Sequence, residues 1–219
     1  MATLMRAVRG VMATAIVVAI VVQLFASADR PTFDAVDFFS YFTVLSNIAA
    51  VAVLGAAAVR PGLLDDDRFQ AVRGAATLYM TVTGLVYAVL LAPQVSDLGL
   101  TELWVNTVLH QVGPAVVVLD WLVAPPPRRP SLHTAAAWLL FPVVWLAYTF
   151  VRAAAVDWYP YPFLDPDEDG VGAVVVSCIA ITVLFVLLAA ALRWWAGRAD
   201  TAGRAVRAGA SAPGAGPPP

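Results

Sequence analysis

Six stretches of the chain are apolar almost without interruption, and short clusters of proline, glycine and charge separate them. They cover residues 8–28, 36–59, 69–92, 102–123, 133–155 and 171–192. At a rise of about 1.5 Å per residue, each is long enough to cross roughly 30 Å of hydrocarbon as a helix. The separators "RPGLLDDDR", "APQVSDLG", "APPPRRP" and "FLDPDEDG" carry the breaking and polar residues expected of loops. The pattern predicts an all-α fold, a polytopic membrane bundle of six transmembrane helices over residues 1–195. A Gly/Ala/Pro-rich tail over 196–219, ending "RAGASAPGAGPPP", is expected to be disordered.

Composition agrees with this class. The chain is 61% hydrophobic and 13% charged, with a mean hydropathy of +0.79, more apolar surface than a soluble domain of 219 residues can bury. All 13 basic residues are arginine, and together with heavy Ala and Val use this points to a GC-rich bacterial genome and a bacterial inner membrane. The arginines also set an orientation. Arg6 and Arg9 precede the first span, Arg60, Arg68 and Arg73 flank the second loop, and Arg128 and Arg129 sit in the fourth. Arg193, Arg198, Arg204 and Arg207 follow the last span, which leaves only Arg30 and Arg152 for the opposite side. Both termini are therefore expected in the cytoplasm. A competing reading treats "RAVRG", the first apolar run and Ala26-Ser27-Ala28 as a cleaved signal peptide, which would leave five spans.

Charge and metal-ligating residues exclude several functions. A net charge of -2 provides no basic stripe for nucleic acid. The single cysteine, Cys178, rules out an internal disulfide or a cysteine zinc cluster and reads as a small residue in an apolar helix. His110 and His133 fall at opposite membrane faces, so no metal site and no cofactor are expected. The acidic run Asp165, Asp167, Glu168 and Asp169 lacks the spacing of a calcium loop and reads as a solvated outer segment.

Polar residues inside the apolar segments carry the candidate chemistry. In "VDFFSYFTVLSNIAAV" the positions Ser40, Thr43 and Asn47 recur at helical spacing and are expected on one face. In "WVNTVLHQVGP" Asn106 and His110 lie one turn apart. Counted from the outer ends of their helices, Thr43 and His110 both fall roughly 10 Å deep. A hydroxyl becomes a nucleophile when a neighbouring base takes its proton, and an imidazole with a reference pKa near about 6.5 suits that task. Asn47, Asn106 or Arg152 could stabilise the oxyanion. The bland alternative is that Thr43 bonds back to its own helix while His110 joins two helices.

At the outer rim, Arg152 either neutralises a substrate carboxylate or pairs with Asp157. Trp158 and its tyrosine neighbours belong to an interfacial belt, and the stiff "YPYPF" segment suits the mouth of a cavity. Tyr87 is the residue of the third span best placed to reach that cavity. Asp120 is expected to pair with a loop arginine, and Pro114 and Pro142 are expected to kink their helices.

The segments "FFSYFTVLSN", "WVNTVLHQVGPAVVVLDWL" and "WYPYPFLD", in this order, resemble the androgen-induced-protein family, most of all its bacterial "Pr-six-Pr" branch. The likeness runs from about residue 8 to residue 192. Its characterised animal members are six-span hydrolases of fatty-acid esters of hydroxy fatty acids that depend on a threonine in the second span and a histidine in the fourth. The resemblance assigns those roles to Thr43 and His110. Animal sequences resemble Trp-x-Asn-His-x-x-His, whereas Thr107 occupies the first histidine position here, which removes a second base or orienter. Residues and resemblance together lead to the expectation of a membrane lipid ester hydrolase. In it Thr43 is the nucleophile and His110 the base, while Asn47, Asn106, Arg152, Tyr87, Asp157 and Trp158 bind or orient. The expected partner is a membrane lipid or fatty-acid ester. The alternative is a non-catalytic lipid-binding, scaffold or transport protein.

Overall fold

The computed structural model describes residues 2–92 and 102–210, without the side chains of 199–210. The expected loop "APQVSDLG" and the end of the tail lie largely or wholly outside the described residues. The helices are α1 (Ala2–Ala28), α2 (Ala35–Ser40), α3 (Phe42–Val59), α4 (Asp67–Val86), α5 (Leu103–Thr107), α6 (Gly113–Val123), α7 (Leu132–Ala137), α8 (Leu140–Val156) and α9 (Pro166–Ala210). A helical backbone thus continues well past residue 195. Among the described residues, five helical stretches are long and apolar enough to cross a membrane: Ala2–Ala28, Phe42–Val59, Asp67–Leu91, Leu132–Val156 and Pro166–Arg198. The remaining apolar segment is an interrupted path of α5, a wide π turn over Val108–Val112, and α6.

Two of the interruptions follow from a proline. Proline lacks the N–H that would bond four residues back, so each proline frees one carbonyl. Pro142 frees the carbonyl of Trp138, where the helix breaks between α7 and α8, and the Tyr79 hydroxyl donates to that oxygen at 2.9 Å. Pro114 frees the carbonyl of His110. The ladder slips by one residue just before it, with Gly113 N–H bonding to Val108 O in the π turn. A third break, between α2 and α3 at Tyr41, has no proline and no glycine. The Trp145 indole donates to Ser40 O at 2.9 Å on one side of it, and the Tyr161 hydroxyl accepts from Thr43 N–H at 3.2 Å on the other.

Two apolar clusters share α4 between them. One gathers Phe42, Leu78, Tyr79, Trp121, Trp138 and Phe185, and the other joins Ala13, Ile16, Leu54, Met80, Leu109 and Val117. Helix α4 and Trp138 approach so closely that a Cβ at Gly74 would collide with the indole ring.

A buried charge group ties three helices together at one end of the bundle. The Asp120 carboxylate on α6 receives Arg9 Nε from α1 at 2.7 Å and Arg73 Nη2 from α4 at 2.7 Å. Arg73 also donates to Asp120 O, Gln70 Oε1 and Ala124 O, and its guanidinium lies 5.2 Å from the Trp121 ring. Both partners lie within helices, so the expected pairing of Asp120 with a loop arginine is corrected. A long side chain reaching along its helix finds the carboxylate sooner than a loop does.

Removing one partner of a buried ion pair strands the other without water, at a cost of about 3–5 kcal/mol. Asp120→Ala should therefore lower the unfolding temperature in detergent much more than Asp67→Ala, whose pair with Arg128 is exposed. Gly74→Ala should destabilise by about 1–3 kcal/mol through overpacking, measured in the same melts.

Candidate functional site

The break at Tyr41 begins α3 inside the packed part of the molecule. The first N–H groups of a helix have no partner within it, and they carry the positive end of its dipole. Thr43 stands in this first turn, and its Oγ1 lies 3.3 Å from the Tyr161 hydroxyl, which also accepts the Thr43 N–H. Burial pushes the Tyr161 phenol up to about 12, against the opposing pull of its hydrogen bonds with Thr43. It therefore remains a neutral donor and acceptor at physiological pH.

Thr43 and Tyr161 border a cavity of about 140 Å³. Its wall is otherwise almost wholly apolar, with Phe42, Val82, Trp145, Ile181 and Phe185 among the lining, and it includes Thr83 and Cys178. Of the residues expected in the site, only Thr43 lines this cavity.

Behind Thr43 is a second polar layer. Asn47 donates through Nδ2 to Thr43 O at 2.9 Å and to Leu109 O at 3.1 Å, so one amide bridges α3 to the π turn that carries His110. Its Oδ1 is buried without a partner among the described residues. Ser46 donates to Thr43 O at 3.0 Å and lies 2.9 Å from Thr83 Oγ1. His110 stacks on Tyr87 with ring centroids 4.4 Å apart, and Asn106 Nδ2 donates to the Tyr87 hydroxyl. His110 Nδ1 is 3.2 Å from Asn106 O. A carbonyl only accepts, so the neutral ring carries its proton on Nδ1 and keeps Nε2 as a lone-pair base.

The expected set therefore divides. Thr43 and His110 belong to adjoining layers linked through Asn47, and no hydrogen bond joins them among the described residues. Ser40 leaves the face it was expected to share: on the far side of the helix break, its Oγ lies 2.8 Å from the Tyr148 hydroxyl. Thr43 and Asn47 do share a face.

Arg152, Trp158 and Asp157 form no single group. Arg152 Nη2 lies 2.6 Å from Asp37 Oδ1, so Asp37, not Asp157, is its acidic partner. The guanidinium sits 5.0 Å from the Trp158 ring, which meets Tyr41 edge-on, and Tyr41 in turn meets Tyr161. Asp157 caps α8 in a left-handed conformation with φ 52°, exposed and directed by its backbone role.

Tyr161, by sequence a residue of the interfacial belt, is instead the partner of Thr43. Its only signal was the stiff "YPYPF" segment, which turns the chain back over the cavity. Thr83 and Ser46 carried no stronger mark than other hydroxyls in apolar helices.

The chain matches no protein-family model, no curated protein and no solved structure.

A group whose pKa is raised in the folded state stabilises fully below its ordinary pKa and loses that contribution as pH rises through the folded value. For Tyr161 the window runs from about 10, the ordinary phenol value, to about 12. The stability margin of wild type over Tyr161→Phe should hold steady from pH 7 to 9 and shrink above pH 10, as read from melting temperatures. Parallel curves would show that Tyr161 ionises with the same pKa in the folded and unfolded chains, so that burial does not raise it.

Proposed function

We propose that this chain is a six-span protein of a bacterial inner membrane, with both termini in the cytoplasm, that hydrolyses a lipid ester in the cavity beside Thr43. The membrane reading is supported by the five long apolar helices and by the helical path from α5 to α6. It is also supported by the contacts of the arginines. Those assigned to the cytoplasmic side meet partners assigned to that side, as in Arg9–Asp120, Arg73–Asp120 and Arg128–Asp67. Arg152, assigned to the other side, meets Asp37 at the outer end of its span.

One observation carries the chemical reading: a threonine hydroxyl in the first turn of a buried helix faces an apolar cavity. The cavity accepts the acyl chain, and Thr43 Oγ1 attacks the ester carbonyl. Its proton passes to His110 Nε2 as the carbonyl π bond opens to an oxyanion. First-turn N–H groups of α3 and the Tyr161 hydroxyl are the donors nearest that charge. Collapse of the intermediate breaks the bond to the alcohol oxygen, which takes the proton from His110 and leaves a threonyl ester. Water then attacks that ester, giving its proton to His110, and the proton returns to Thr43 as the acid departs. Asn47 holds the two helices in register, while Asn106 fixes the His110 tautomer through its carbonyl and Tyr87 supports the ring. The reaction needs Thr43 to exchange its contact with Tyr161 for one with His110 when substrate enters. The motif likeness to the androgen-induced-protein family points to the same two residues.

A second reading, lipid binding or transport without catalysis, is favoured by the present hydrogen bonds, since Thr43 is engaged by Tyr161 and His110 by its own helix.

A fluorophosphonate probe separates the two. Wild-type protein in detergent should be labelled, and Thr43→Ala and His110→Ala should lose labelling by at least about a hundredfold while keeping wild-type melting behaviour. Folded wild-type protein that resists the probe would favour binding without catalysis. Retained turnover in Thr43→Ala would sink the mechanism.

A further inference from the structure

The cavity beside Thr43 is walled on one side by α8 and α9. Two of the residues that line it, Val143 on α8 and Val186 on α9, are also 61% and 47% exposed on the outer surface of the bundle. Thr182, another lining residue, is exposed on the same surface. A side chain that borders both an internal cavity and the exterior marks the edge of an opening. Pro142, Val143, Leu146 and Val186 make this edge apolar, and the hydroxyl of Thr182 donates to Cys178 O of its own helix, whereas Thr43 and Tyr161 pair with each other in the cavity wall.

We propose that the gap between α8 and α9 is a lateral portal through which one acyl chain enters from the bilayer. This rests on the reading above that the bundle spans a membrane and that its cavity takes an acyl chain. Volume decides how much of the chain is held. An apolar cavity of about 150 Å³ accommodates a ligand the size of benzene. The 140 Å³ here therefore seats about six carbons next to the ester carbonyl. A long chain does not fit, so its remainder stays outside. Through the portal that remainder rests among lipid tails, where it stays as apolar as before. Through a mouth facing water every exposed methylene would carry a hydration penalty. The portal thus selects long-chain esters already dissolved in the membrane over short soluble ones, and it does so without recognising the end of the chain.

The test uses full-length protein in phosphatidylglycerol vesicles with a palmitate ester carrying a diazirine close to its carbonyl. Photolysis followed by peptide mapping should label cavity residues such as Phe42, Leu146 and Ile181 in wild type and equally in Thr43→Ala, since entry does not need the hydroxyl. Val143→Trp combined with Val186→Trp changes two residues at the edge of the opening, each exposed to the exterior as well as bordering the cavity. It should cut cavity labelling about tenfold while leaving the lipid-facing controls Val176 and Leu187 labelled as before. Undiminished cavity labelling in the plugged variant would overturn the portal and leave acyl binding standing. Labelling confined to Val176, Leu187 and similar outer residues in wild type would overturn both. Because none of these outcomes depends on turnover, failure of the hydrolytic mechanism registers separately, in the fluorophosphonate experiment.

Discussion

A carboxylate clamped between two guanidiniums is the constraint around which this bundle is arranged. Asp120, Arg9 and Arg73 are all nearly inaccessible, and a charge withdrawn from water is tolerated only with its partner in contact. Neither arginine can leave Asp120 without becoming a buried cation that has lost its anion, and Asp120 cannot move without leaving two cations behind. The geometry leaves little freedom, because Arg73 also uses its planar fork on Asp120 O, Gln70 and Ala124 and stacks against Trp121. One point therefore locks α1, α4 and α6. Arg9 Nη2 stays without a partner among the described residues, as expected when two cations share a single anion.

The opposite half of the molecule is held by weaker and more adaptable means. Hydroxyls, the Asn47 and Asn106 amides and a run of aromatic rings hold it together with the less deeply buried Arg152–Asp37 pair, and the chain breaks at Tyr41 where no proline compels it. That break exposes unpaired backbone groups in an apolar interior, which is costly unless side chains satisfy them. Trp145 and Tyr161 do so from two other segments. The same break turns an ordinary apolar helix into one with a buried N-terminus, and Thr43 acquires the positive end of the dipole.

The two polar layers on either side of Thr43 do different physical work. The Tyr161 layer meets the cavity, and the His110 layer fixes a tautomer and the spacing of helices. Asn47 connects them with a single amide, which donates to Thr43 O on α3 and to Leu109 O in the π turn. Both π turns, over Tyr87–Leu91 and Val108–Val112, fall beside this junction, and such turns relax the helical ladder where it must adapt.

Much of the architecture was legible along the chain. Apolar runs longer than the hydrocarbon thickness have no good structure other than a helix, so the helical segments and the all-α class followed from the sequence. The interruptions at Pro114 and Pro142 followed from a missing N–H, and the arginine distribution supplied the expected orientation. Thr43 and His110 stood out because a hydroxyl and an imidazole in apolar surroundings require partners. What those partners were depended on residues far apart in the chain. Tyr161 reaches Thr43 across 118 positions, and Asp37 takes Arg152 although Asp157 is much nearer in sequence. The break at Tyr41 has no local signal, because its stability comes from Trp145 and Tyr161, and the cavity exists only where α8 and α9 leave space between them. Period and composition act over a few helical turns and so determine elements. Hydrogen-bond partners, ion pairs and cavities depend on which elements meet, and only the packed tertiary structure decides that.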